Sequence, residues 1–149
     1  MNNLLATWMF IKKNKFTNYN FFMNLALQQA KNNLGNTKEN PSVGCIITNN
    51  GNIISAGCTS INGRPHAEKN AISKSKIPIK DSVLYSTLEP CSHTGKTPPC
   101  VNEIISSKIS KVFFSVNDPD KRSFKMCKDK LKKKKIEVKT GILSKKINN

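Results

Sequence analysis

Long apolar runs are missing from this 149-residue chain. A membrane span, which needs about 18 or more consecutive apolar residues, is therefore excluded. Acidic side chains are also scarce, with 9 Asp and Glu against 25 Lys and Arg for a formal net charge of +16. The imbalance is concentrated: residues 121–146 hold 12 basic and 2 acidic side chains. Such a field can attract nucleic acid or steer a phosphorylated small molecule, but a run like Lys132 to Lys135 is more commonly a solvated helix face. Charge alone selects no partner. A secretory leader is not recognisable either, because the apolar stretch Leu4 to Ile11 precedes Lys12, Lys13 and Lys15 instead of following them, and no A-x-A-like site comes after it. The five cysteines, an odd number, then imply no disulfide framework. The expected compartment is the cytoplasm, where thiols serve as metal ligands, reactive groups or small core residues. No internal repeat is visible, and the length suits one hydrophobic core.

Residues 1–18 show no clear period and are expected to be an extension, with the domain proper at 19–149. From Asn20, the positions Phe21, Phe22, Leu25, Ala26 and Gln29 form a helical stripe that Gly35 is placed to cap. Val43 to Ile47 and Ile53 to Ala56 flank Asn50-Gly51, a type I′ turn pair, and predict a β-hairpin. His66 to Lys76 reads as a helix with Ala67, Ala71 and Ile72 inward, and Ser82 to Thr87 as a strand. After Pro98-Pro99, Cys100 to Ile105 opens a third helix. Lys111 to Val116 predicts a strand, residues 123–135 a helix with Phe124, Cys127 and Leu131 inward, and Ile136 to Val138 a last strand. Strands alternating with helices after a hairpin imply an α/β layered domain with a mixed sheet. Cys45, Cys58 and Cys127 are expected to be core thiols.

The two histidines, His66 and His93, share the central third with Cys91 and Cys100. His66-Ala67-Glu68, then Pro90-Cys91, then Cys100 offers one imidazole and two thiolates, a set that leaves the fourth tetrahedral position on zinc open. An open position signals catalysis more than structure. His66 and Cys100 both fall in predicted first turns, where free N–H groups favour negative charge. Residues two apart do not share a helix face, so His66 and Glu68 can converge only near the helix N-terminus. Water activated there by zinc would ionise near pH ~7, and Glu68 would shuttle its protons. Gly95-Lys96-Thr97 is no P-loop, since Pro90 stands where that motif needs glycine.

This order of residues resembles the zinc-dependent nucleobase deaminases, whose pattern is H-x-E followed by P-C and a further Cys. Most of that superfamily has two residues between the cysteines, whereas here there are eight, Ser92 to Pro99. The longer loop, together with Asn40-Pro41-Ser42-Val43-Gly44-Cys45 and Asn117-Asp118-Pro119, resembles the deaminases of riboflavin biosynthesis from about Tyr19 to Thr140. The resemblance implies a three-layer α-β-α cytidine-deaminase-like fold with a mixed five-stranded sheet and helices on both faces. It also implies conversion of 2,5-diamino-6-(5-phosphoribosylamino)pyrimidin-4(3H)-one to 5-amino-6-(5-phosphoribosylamino)uracil and ammonia.

By position, the family's zinc ligands fall on His66, Cys91 and Cys100, with one zinc per chain, and its proton shuttle falls on Glu68. Its substrate contacts fall on Asn40, His93 and Lys96. Asn40 can pair with a heterocycle edge through a donor and an acceptor, while His93 and Lys96 supply donors for a phosphate. Two departures stand out: Thr59 replaces the family's usual His, and the glycines usually found after Asn117-Asp118-Pro119 are absent. Many relatives also carry a reductase domain, so reduction is expected to fall to a separate protein. No nucleic acid or membrane partner is expected, and a homo-oligomer is expected by resemblance. Two rival readings are a deaminase of RNA bases, which the basic segment would serve, and a non-catalytic zinc-stabilised basic module, which would need His93 as a fourth ligand.

Overall fold

The computed structural model describes residues 18–148. Apart from Asn18, the expected extension lies outside them. Asn18 is the N-cap of the first helix, and its Oδ1 accepts the Phe21 N–H at 3.1 Å. The elements run α1 (Tyr19–Lys31), β1 (Gly44–Asn49), β2 (Asn52–Cys58), α2 (Ala67–Lys74), β3 (Val83–Leu88), α3 (Cys100–Ser106), β4 (Lys111–Val116), α4 (Met126–Lys133), β5 (Glu137–Thr140) and α5 (Ser144–Ile147). A 3₁₀ turn at Ile61–Gly63 leads into α2. The five strands form one sheet in the order β2-β1-β3-β4-β5. β1 is antiparallel to β2 and β3, and β3, β4 and β5 are parallel.

Side chains alternate across this sheet and build a core on each face. Cys45, Ile47, Leu84, Val112 and Phe114 meet Ala67 and Ala71 of α2, Val101 and Ile104 of α3, and Cys127 and Leu131 of α4. Their strand neighbours Ile46, Tyr85 and Phe113 meet Phe22, Met23 and Ala26 of α1. The result is the expected mixed sheet between helical layers. The hairpin turn is as expected, with positive φ at Asn50 and Gly51. Gly44 is required where α1 crosses β1, because a Cβ there would lie 1.7 Å from the Ala26 carbonyl oxygen.

Four expectations about packing need correction. Phe21 is 48% exposed, and Met23 takes its place in the core, because α1 presents the Phe22–Met23–Ala26–Ala30 stripe to the sheet. Gly35 does not cap α1, which ends at Lys31. It takes φ 84° within the turn that follows. Phe124 is 46% exposed, because Lys125 adopts a left-handed φ of 59° and delays α4 to Met126, so that Ser123 is buried instead. Cys45 and Cys127 are fully buried, but Cys58 is only half-buried and lies 3.5 Å from the Asn33 side-chain amide.

Candidate active site

The parallel strands β3 and β4 end side by side at Leu88 and Val116, where ligands commonly bind in open α/β sheets. Beyond them opens a cavity of about 820 Å³, lined among others by Asn40, Thr59, His66, Glu68, Cys91, His93 and Lys96. His66 is the N-cap of α2, in extended backbone with no capping hydrogen bond from its side chain, so the imidazole is available to the cavity. Cys91 follows the end of β3, and Cys100 is the first residue of α3, set by Pro99 as N-cap.

Three distant segments thereby bring one nitrogen and two sulfurs to a single point. His66 Nδ1 lies 3.6 Å from Cys91 Sγ and 3.5 Å from Cys100 Sγ, and the three candidate ligand atoms are within 4.8 Å of one another. The Cys100 backbone N–H donates to Cys91 Sγ at 3.2 Å. Hydrogen bonding to Cys100, then to His66, pulls the Cys91 thiol far below its ordinary value. The same bond to Cys91 and burial push Cys100 up. The Cys91 sulfur raises His66 against its burial. One imidazole nitrogen and two sulfurs held this close together fit a divalent, thiophilic cation, whose binding releases the thiol protons.

Glu68 sits one turn-step inside α2 and is buried, 4% exposed. Its Oε1 accepts the Ser86 hydroxyl at 2.9 Å, which fixes the carboxylate, and burial raises its pKa above the ordinary carboxylate range. Asn40 is half-buried and lines the same cavity. The Asn40 side chain makes no hydrogen bond within the protein among the described residues. Instead Gly63, at φ 92°, gives way to it: a Cβ there would stand 2.3 Å from Asn40 Nδ2.

His93 does not join the ligand cluster. Its Nδ1 is 2.6 Å from Ser123 Oγ, and its Nε2 is 4.0 Å from Asp120 Oδ2. A closed four-ligand site is therefore not formed among the described residues, and the binding-module reading loses its required ligand. Lys96 is exposed on the cavity rim. Thr59 is buried, its hydroxyl donating to Pro41 O at 3.0 Å and accepting Val43 N–H at 2.9 Å, so its hydrogen-bonding capacity is used within the protein.

Sequence reasoning missed several supporting groups. Glu89 is 2% exposed and accepts three backbone N–H groups, from Asp118 at 3.0 Å, Lys125 at 3.2 Å and Cys127 at 3.3 Å. It pins the 117–127 segment, and with it Ser123, against the site. Burial pushes its carboxyl up while these N–H groups pull it down. Glu89→Gln replaces one of the two accepting oxygens by an NH2 that must face at least one of those donors, and is expected to cost about 1–3 kcal/mol, read as a lower Tm; an unchanged Tm would contradict the anchoring role. Lys130, from the basic segment, donates to the Ser92 carbonyl and ties α4 to the same loop. Glu89 stands directly before Pro90-Cys91 in the loop motif, but neither its anchoring role nor that of Lys130 follows from a periodicity or a motif.

Comparison with known proteins agrees with this geometry. A family model described as "Cytidine and deoxycytidylate deaminase zinc-binding region" matches residues 17–116. The diaminohydroxyphosphoribosylamino-pyrimidine deaminase of Buchnera aphidicola (Schizaphis graminum) is 42% identical over 84% of this chain and 85% of its own length. The riboflavin biosynthesis protein RibD of Bacillus amyloliquefaciens is 41% identical over 83% of this chain, which spans only 33% of that protein. The crystal structure of a deaminase/reductase from Thermotoga maritima superposes with TM-score 0.82 at 36% identity, over 87% of this chain and 38% of that one. No helix among the described residues is long and apolar enough to cross a membrane. The chain therefore belongs to the cytidine and deoxycytidylate deaminase zinc-binding family, among the relatives that include the diaminohydroxyphosphoribosylaminopyrimidine deaminases.

Proposed function

We propose that this domain removes the exocyclic amino group at the 2-position of a phosphoribosylated diaminopyrimidinone, giving the uracil-type product and ammonia. The observation that carries the reading is one loop, Ser92 to Pro99, which joins two cluster cysteines and carries His93 and Lys96 to the cavity that contains Glu68. The relatives named for this deamination support it. His66, Cys91 and Cys100 would hold one zinc per chain, and zinc supplies Lewis acidity and lowers the pKa of water to about 7.

Glu68 takes the proton of the attacking water and returns it to the exocyclic nitrogen as the carbon–nitrogen bond breaks. Ammonia leaves, the ring carbon keeps the oxygen as a carbonyl, and the second proton of the water ends on the adjacent ring nitrogen, which completes the uracil-type ring. Burial raises the Glu68 pKa, which favours its holding the proton between the two transfers. Asn40 pairs with the heterocycle edge, and His93 and Lys96 take the phosphate. Ser123 and Asp120 hold the His93 ring in place for that contact.

The test is ammonia release by zinc-quantified protein offered the diaminopyrimidinone ribotide, cytidine and transfer RNA side by side. Turnover of the ribotide alone is expected. Preference for cytidine or RNA, or no ammonia from any of the three, would overturn the reading.

A further inference from the structure

Arg64 stands two residues before His66, half-buried at the cavity wall, and neither motif nor charge pattern draws attention to it. Its guanidinium crosses to the 92–99 loop, where Nη1 donates to Thr97 Oγ1 at 2.5 Å. Its Nη2 lies 3.8 Å from the point where a Cβ on Gly95 would stand, and His93 Nε2 lies 3.9 Å from that same point. The missing side chain of Gly95 therefore leaves open a space flanked by a guanidinium and an imidazole, on the loop that carries Lys96. Glu39, Asp118 and Asp120 line the same cavity, yet no ion pair among the described residues includes Arg64. The other cavity arginine, Arg122, is consumed by Asp120 through contacts of 2.6–3.1 Å.

A guanidinium has five N–H donors, and among the described residues the hydrogen bond this one makes is to a neutral hydroxyl. Its fork is suited to two oxygens of one phosphate, with bonds of about 2.7–2.9 Å. We propose that Arg64 is a specificity-determining residue that binds the phosphate of a phosphorylated substrate from the wall facing His93, with Thr97 and the open space above Gly95 setting its position. This rests on the reading of the site as one for a phosphoribosylated pyrimidine and names the residue that makes the phosphate count. Thr97 orients the guanidinium, and Gly95 keeps the space clear.

The test compares wild type, Arg64→Met and Arg64→Lys as zinc-loaded proteins in two measurements. The first is ammonia release from the diaminopyrimidinone ribotide and from its dephosphorylated riboside. Arg64→Met is expected to raise KM for the ribotide about 10- to 100-fold, the loss typical of a hydrogen bond to a charged group. Its kcat and its KM for the riboside stay within about threefold, and Arg64→Lys, which keeps the charge without the fork, falls between. The second is calorimetric binding of ribose 5-phosphate, which needs no turnover, and Arg64→Met is expected to weaken it by about tenfold or more.

Equal KM changes for ribotide and riboside would overturn the proposal, as would a loss confined to kcat. So would a wild type that binds ribose 5-phosphate no better than Arg64→Met. If wild type releases no ammonia from the ribotide, the deaminase reading fails. The ribose 5-phosphate comparison then still decides the role of Arg64.

Discussion

Replacing Glu68 with glutamine is expected to lower ammonia release by about 10²–10⁴-fold, the range typical of a lost general acid–base group, while zinc content stays at the wild-type level. The amide has the size of the carboxylate, and its oxygen can still accept the Ser86 hydroxyl that now lies 2.9 Å from Oε1. Glu68 is also outside the three-atom cluster of His66, Cys91 and Cys100, so the variant leaves those groups in place. Turnover near the wild-type rate would remove Glu68 from the proposed proton path. Loss of zinc together with activity would instead make it a support of the metal centre. Steady-state kinetics and metal analysis on the same preparation separate these outcomes.

Stripping the metal with a chelator is expected to abolish deamination and to lower the melting temperature, both reversibly on adding zinc. A ligand that binds only the folded state at about 1,000 times its Kd contributes about 4 kcal/mol, which for a domain of this size is about 8–16 °C in Tm. Cys100→Ser is expected to behave like the stripped protein and not to recover with zinc. The serine keeps the backbone N–H that bonds to Cys91 Sγ but removes one of the two sulfurs. A melting temperature indifferent to zinc, or full activity in Cys100→Ser, would contradict the cluster's role. The three candidate ligand atoms come from the approach to α2, the loop after β3 and the start of α3, so an ion bound there would tie three segments together.

The order and kind of the main elements were legible because the sequence repeats its information at every level. The hairpin was marked by apolar runs and by Asn50-Gly51, whose positive φ angles the turn requires. The start of α3 was marked by Pro99, whose fixed φ suits a helix entrance. Where the reading failed, one backbone angle or one helix rotation decided the result. Lys125 in a left-handed conformation cannot be read from a lysine, yet it delays α4 and turns Phe124 outward and Ser123 inward. Phe21 and Phe22 fit one stripe on paper, but the sheet accepts only the face bearing Phe22 and Met23.

The site divides in the same way. His66, Glu68, Cys91 and Cys100 were legible as an ordered pattern, and the fold brings the candidate ligand atoms of His66, Cys91 and Cys100 within 4.8 Å of one another with Glu68 in the same cavity. Their supports were not. Ser86, Ser123 and Glu89 act through contacts 18, 30 and as many as 38 positions apart in the chain, and no local rule links such pairs. Arg64 was hidden for a similar reason. A single arginine in a chain with 25 basic residues becomes informative only once the structure shows it bonded to the loop and in no ion pair among the described residues.

The most direct test of the account is X-ray absorption at the zinc edge on protein loaded with one equivalent of metal. The account predicts a four-coordinate shell with two sulfurs at about 2.3 Å, one histidine nitrogen at about 2.0 Å and one exchangeable light atom. A shell without sulfur, or one closed by a second imidazole, would contradict it.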